Sequence, residues 1–204
     1  MPACCGTKRH QWDEHEVEHQ WVPARLRCFI VGENPGKTES QYFYQRPSNY
    51  TSDPVVVRRV LLRGLHQHGI IQEATLEGFQ NAGFLFDHAI RCQLSSRIVS
   101  GERQRAMRYA SSYVEEPVHL QPWLSQSVAV WVMGHLASNA VANATKEFPK
   151  QKRKISMSPF PGPIVSSSRF FLSEYLTWRN EAKASTFFEA FVRFARERQL
   201  FDHA

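Results

Sequence analysis

The feature that most constrains this chain is a pattern rather than a residue. Short apolar runs alternate with segments of helical period. Residues 26–31 (LRCFIV) run into Gly32, residues 83–91 (GFLFDHAIR) form a second run, and residues 127–134 (SVAVWVMG) close on Gly134. Each is short, continuous and bounded by turn-formers, as a strand buried on both faces must be. Residues 54–69 (PVVVRRVLLRGLHQHG) instead place Val56, Val57, Val60, Leu61 and Leu65 on one helical face, with Pro54 suited to a first turn. A helix over 135–146 follows the third strand directly. Residues 101–126 read as one or two helices interrupted at Pro117 and Pro122, and residues 149–168 as largely loop. Residues 170–179 and 184–199 read as helical, the second with Phe187, Phe188, Phe191, Val192 and Phe194 as a core-facing stripe. Strand and helix in alternation predict an α/β fold with a parallel sheet covered on both faces. In such folds ligands bind beyond the carboxyl ends of the strands. Residues 32–36, the pair Asp87 and His88, and the pair Gly134 and His135 all fall at such ends, so one crevice is expected to collect them.

At 204 residues the chain is expected to form one domain, residues 1–204, with a polar, His-rich arm over 1–24. It has no apolar run of membrane-spanning length and no apolar stretch near its start, so a cytoplasmic protein with no membrane partner is expected; a monomer is the expected assembly. The formal net charge is +6, and the basic residues cluster: Arg97, Arg103, Arg105 and Arg108 in one stretch, Lys150, Lys152, Arg153 and Lys154 in another. That balance suits a polyanion such as nucleic acid, or equally plain solubility.

The first strand ends in Gly32-Glu33-Asn34-Pro35-Gly36, with Tyr42, Phe43 and Tyr44 close behind. Glycine and proline there fix a turn and let the backbone approach a ligand. The Asn34 carboxamide can hold a water by accepting one hydrogen bond and donating another. Glu33 can serve as a general base, or its charge can stabilise a cationic transition state. A purely structural turn explains the same five residues.

G-E-N-P-G after an apolar strand, with YFYQRPSN behind it, resembles the first motif of the uracil-DNA glycosylase superfamily, in the G-x-N-P-G form of its mismatch-specific and single-strand-selective branches. GFLFDHAIRCQ and PWLSQSVAVWVMGHLASNAV resemble segments of its iron–sulfur branch, in order and spacing, and Cys4 and Cys5 lie about where that branch keeps an N-terminal cysteine pair. The resemblance implies a three-layer α/β/α fold with a central, mainly parallel four-stranded sheet. It implies an enzyme that flips a nucleotide out of DNA and hydrolyses its N-glycosidic bond, leaving an abasic site. Asn34 would then hold the attacking water, with Phe43 or Tyr44 stacking on the extruded base; beside them Glu33 is the candidate acidic group, and Asp87 is either a second acid–base group or the residue that orients His88. Phe160 or Ile164 would wedge into the base stack and Arg169 would meet a phosphate.

Two departures from the family matter. His88 stands where the family's uracil-reading Asn is expected, and an imidazole cannot copy an amide's two-point pattern. Ser158 stands where the last motif usually carries His. These changes point away from a plain uracil enzyme and toward a modified or damaged pyrimidine. A hypermodified phage cytosine, such as glucosylated hydroxymethylcytosine, is a candidate, and its excision would serve antiviral defence. An ordinary uracil or mismatch-repair glycosylase and a non-catalytic DNA-binding module of the same fold are the alternatives. No cofactor is required for the chemistry. By the resemblance, Cys4, Cys5, Cys92 and His119 form a candidate structural site for zinc or an iron–sulfur cluster, while loss of the metal is an equally open expectation.

Overall fold

A computed structural model describes residues 20–35, 42–45, 47, 49–91, 114–127, 129–133, 135–145, 164–165, 170–174, 188–189, 192–193 and 195–196. Its elements in chain order are β1 (Cys28–Gly32), α1 (Val56–Gln67), α2 (Leu76–Asn81), β2 (Phe84–His88), α3 (Gln121–Gln126), β3 (Ala129–Met133), α4 (His135–Thr145), β4 (Ile164–Val165) and β5 (Phe170–Glu174). They build a five-stranded sheet in the order β2-β1-β3-β5-β4. β2, β1, β3 and β5 pair in parallel, and β4 pairs antiparallel with β5 at the edge.

The expected α/β class and parallel pairing are present, but the expected strand count of four is not. The fifth strand, β4, lies in the Pro- and Gly-rich segment read as loop, and β5 occupies residues read as the start of a helix. Phe170, Phe171 and Leu172 form an apolar run too short for periodicity to separate helix from strand. Pairing with the free edge of β3 settles it as strand, with Phe170 opposite Ala129 and Glu174 opposite Met133. Helix α2 is absent from the sequence reading because its six residues span fewer than two turns. Its start does carry a local signal: the Thr75 hydroxyl caps it by accepting the Gly78 N–H at 3.0 Å.

Every residue of β1, β2 and β3 is buried, so both faces of the central sheet are covered. Strand alternation divides them. One face carries Cys28, Ile30 and Gly32 beside Phe84, Phe86, His88 and Trp131; the other carries Phe29 and Val31 beside Leu85, Asp87, Val130 and Val132. An aromatic layer covers the first face. Phe43 stacks on Phe86 at 4.2 Å, Phe79 of α2 stacks on Phe84 at 5.0 Å, and Phe188 meets Trp131 edge-on at 5.6 Å. Gly64 of α1 seats the Phe188 ring, since a Cβ there would stand 2.2 Å from two ring carbons. Phe188, Val192 and Ala195 are buried while Glu189, Arg193 and Arg196 are exposed, as a core-facing helical stripe requires. Of the stripe read from sequence, Phe187, Phe191 and Phe194 lie outside the described residues.

Candidate functional site at the strand ends

The turns after β1, β2 and β3 are tied to one another. Ala89 N–H donates to the Gly32 carbonyl at 2.8 Å, and Ile90 N–H donates to the Glu33 carbonyl at 3.0 Å. The Glu33 side chain reaches across to α4, where its Oε1 accepts the backbone N–H of Leu136 at 3.0 Å. The unbonded N–H groups of a helix start carry partial positive charge, so the carboxylate is fixed there by hydrogen bond and field together. Asn34 is half-buried beside it. The amide donates through Nδ2 to the Pro35 carbonyl at 3.1 Å, and this bond leaves Oδ1 as its acceptor side.

The remaining strand-end residues come to the same end of the sheet but divide between its faces. In register, Gly32 pairs with His88 and Val31 with Asp87. Asp87 is buried and committed. Its Oδ2 forms an ion pair with Arg91 at 2.8 Å, and its Oδ1 accepts the His88 backbone N–H at 2.6 Å. His88 lies on the opposite face, 8 % exposed, with its ring edge-on to Phe86 at 5.0 Å. Burial lowers its pKa from 6.5 to about 4; the Asp87 carboxylate opposes the shift, while Arg91 and His119 reinforce it. The imidazole is therefore neutral at physiological pH, with one donor and one acceptor nitrogen. Gly32 is required opposite it, because a Cβ would fall 2.9 Å from Phe86 Cζ and 3.2 Å from His88 Cδ2.

Phe43 and Tyr44, read as stacking platforms, are packed into the core at 3 % and 7 % exposure. Phe43 lies on Phe86, tilts against Phe79 at 5.4 Å and meets Tyr44 edge-on at 5.1 Å. Tyr44 stacks on Trp21 at 5.9 Å, and its hydroxyl accepts the Phe86 backbone N–H at 2.6 Å. Of the three consecutive aromatics, Tyr42 is the one left half-buried.

Two functional candidates escaped the sequence reading. Arg58 and Asp53 are fully buried and form a salt bridge through Arg58 Nε and Asp53 Oδ2, with a second bond from Nη2 to Oδ1 at 2.7 Å. Arg58 Nη1 faces three backbone carbonyls of the aromatic turn: Tyr42 and Phe43, each at 2.7 Å, and Gln45. Asp53 Oδ1 also accepts the Val55 N–H at 2.8 Å. A signal for Arg58 was present. It precedes Leu61, Leu62 and Leu65 by three, four and seven residues, which puts a guanidinium on the buried stripe of α1.

Ser158, Phe160, Arg169, Cys4, Cys5 and Cys92 lie outside the described residues. Ile164, read as a wedge, has strand backbone in β4 and pairs with Phe171. His119, read as a metal ligand, donates through Nε2 to the His88 carbonyl at 2.9 Å. Among the described residues no group of three or more His, Cys, Asp and Glu is arranged to hold a metal, so the described part does not complete the expected site. Cys28 is buried in β1, and burial pushes its thiol pKa far up, which suits a core residue.

A pocket of about 390 Å³, lined by His68, Glu189, Val192, Arg193 and Arg196, contains none of the strand-end residues. His68 closes the far end of α1, about 18 Å from its Asp53 end for a helix of twelve residues. Among the described residues no helix is long and apolar enough to cross a membrane.

Fold and site together define an α/β protein with a mainly parallel sheet and a cluster of polar side chains at its strand ends. Compared with known proteins, the chain matches no family model, and no curated protein matches it.

Proposed function

We propose that the chain is a DNA glycosylase that extrudes a modified or damaged pyrimidine and hydrolyses its N-glycosidic bond. The observation that carries the reading is the pairing of Glu33 and Asn34 at the end of β1, with the Glu33 carboxylate fixed on the start of α4. The α/β class and the parallel pairing accord with it, as does the motif resemblance of the sequence. In the reaction the bond from C1′ to the base nitrogen breaks with its electron pair on the base. The sugar becomes oxocarbenium-like, and water bonded to Asn34 adds to C1′ while its proton passes to the Glu33 carboxylate or to solvent. A carboxylate already fixed by a backbone N–H needs no reorganisation to stabilise that cation, which favours its electrostatic role.

His88 bears on the choice of base. By the motif resemblance His88 stands where the family's uracil-reading Asn is expected, and an imidazole cannot copy an amide's two-point pattern, so this residue favours a base other than uracil. A hypermodified cytosine such as glucosylated hydroxymethylcytosine, removed in defence against phage, is the substrate proposed. The burial of Phe43 and Tyr44 favours a second reading, a DNA-binding module of the same fold without catalysis.

A substrate panel tests both. Single-stranded and duplex oligonucleotides carrying uracil, mismatched, deaminated and hypermodified bases are incubated with wild type and Asn34→Ala, and alkali-labile breaks are scored. Breaks at a modified pyrimidine that vanish in Asn34→Ala are expected. Efficient uracil release with modified DNA left intact would establish the ordinary repair enzyme, and DNA binding without breaks would establish the binding module.

A further inference from the structure

We infer that Arg58 is a positioning residue for base selection, acting through the aromatic turn on His88. The inference rests on the glycosylase reading and adds to it a residue that touches neither sugar nor water.

The connection is continuous. Arg58 is 1 % exposed, and two of its nitrogens are held by Asp53. Its third, Nη1, has two N–H groups for the three carbonyls of Tyr42, Phe43 and Gln45, so it fixes the turn by shared hydrogen bonds. The turn in turn fixes two rings. Phe43 lies flat on Phe86, with 12° between the ring planes, and the Tyr44 hydroxyl holds the Phe86 N–H. Phe86 is the ring against which His88 packs edge-on, and it closes on Gly32 so tightly that no Cβ fits between. A shift of the turn is therefore passed to Phe86, and from Phe86 to the imidazole packed edge-on against it.

A charge alone does not explain this arrangement. A lysine would satisfy Asp53 as a point charge, but one ammonium cannot bond two carboxylate oxygens and three separated carbonyls at once. A burial role alone would not need it either, since an apolar side chain of similar volume often replaces a buried ion pair without loss of stability. What the guanidinium supplies is geometry, delivered to the backbone of the aromatic turn.

The test uses the full-length protein and Arg58→Lys, compared well below the melting temperature of each. Backbone amide exchange at Phe86 reports the relay without reference to activity, and the ratio of kcat/KM between the preferred base and the next best reports selection. That ratio does not depend on the fraction of active protein. Arg58→Lys is expected to speed exchange at Phe86 relative to Val130 and Val132, and to lower the selectivity ratio about 10- to 100-fold, the scale of a misplacement near 1 Å. A folded variant with faster exchange but an unchanged ratio makes Arg58 a stabiliser of the fold and overturns the inference. Unchanged exchange at Phe86 overturns it as well. Wild type that excises no base of the panel overturns the glycosylase reading and this inference together. Where Arg58→Lys does not fold, Phe43→Leu cuts the same relay at the ring stack with Arg58 in place, and it carries the same expectation and the same refutation.

Discussion

Glu33 and Leu136 are 103 residues apart in the chain and joined by a single hydrogen bond, carboxylate Oε1 to backbone N–H at 3.0 Å. The bond closes the end of β1 onto the start of α4. It also separates two properties of Glu33 that substitution can remove one at a time. Glu33→Gln keeps an acceptor oxygen and loses the charge, so stability should fall by no more than about 1 kcal/mol, the worth of an anion at a helix start. Glu33→Ala loses the acceptor too and should cost about 0.5–2 kcal/mol, as lost helix caps do. Under the glycosylase reading both should lower kcat about 100- to 1000-fold, since a preorganised charge acts in the transition state. Denaturant unfolding and single-turnover excision measure the two effects. A Glu33→Gln enzyme as fast as wild type would remove the charge from the mechanism.

The buried His88 makes stability depend on pH in a definite direction. Its folded pKa, about 4, lies below the ordinary 6.5, so the unfolded state binds the proton more readily. The contribution is fully present above pH 6.5 and is lost as pH falls from there toward 4, amounting to roughly 3 kcal/mol once the folded imidazole is protonated. Urea unfolding at intervals between pH 8 and pH 4 should show that decline, and His88→Asn should remove most of it. An equally steep decline in His88→Asn would assign the effect to other groups.

The central strands and α1 were legible because continuous apolar runs and a 3.6-residue period are local properties. Cys28 through Val31 and Ala129 through Met133 need no partner to be recognised as strand, and the placement of Gly32 at a strand end followed from the first of them, as that of His88 followed from the run over 83–91. What local pattern could not supply was the face each side chain takes. Glu33, Asp87 and His88 read as one polar cluster, yet pleating sends Asp87 to the side of Val31 and His88 to the side of Gly32. Likewise, Phe43 and Tyr44 could be read as exposed platforms only because nothing in their own segment announces Phe86, Phe79 or Trp21 as neighbours. β5 was missed for a related reason: whether Phe170-Phe171-Leu172 is strand or helix depends on an open edge at β3.

Gly32 offers a direct probe of the crowding around His88. Its Cβ position is bounded by Phe86 Cζ at 2.9 Å and His88 Cδ2 at 3.2 Å, and Phe86 is itself backed by Phe43 at 4.2 Å. With Phe86 held from behind, Gly32→Ala must displace the imidazole or open the strand pairing. A loss of about 1–3 kcal/mol is expected, typical of overpacking a filled core. The His88 ring resonances should shift while those of Trp131, further along the sheet, stay in place. A variant as stable as wild type with unmoved His88 signals would show the space to be larger than these distances allow.

The Asp53–Arg58 pair is the place where two substitutions together should do less harm than the sum of each alone. Arg58→Met leaves Asp53 buried without its cation and takes the guanidinium from the carbonyls of Phe43, Gln45 and Tyr42, of which Tyr42 keeps the Gln45 N–H at 3.2 Å. Breaking a buried pair from one side typically costs about 3–5 kcal/mol, because the remaining charge is uncompensated. Asp53→Asn is expected in the same range for the mirror reason, although its Oδ1 can still accept the Val55 N–H. In the double variant neither charge is left alone, so the combined loss should fall short of the sum of the two singles by about 1–3 kcal/mol, the coupling usual for groups in one network. The carbonyls of Phe43 and Gln45 still lack the guanidinium in that double variant, and so its stability should still lie below wild type. Urea unfolding of the four proteins at pH 7 measures the cycle. Simple additivity would mean that the charges do not hold each other, and that the guanidinium stays in the core for the turn carbonyls alone.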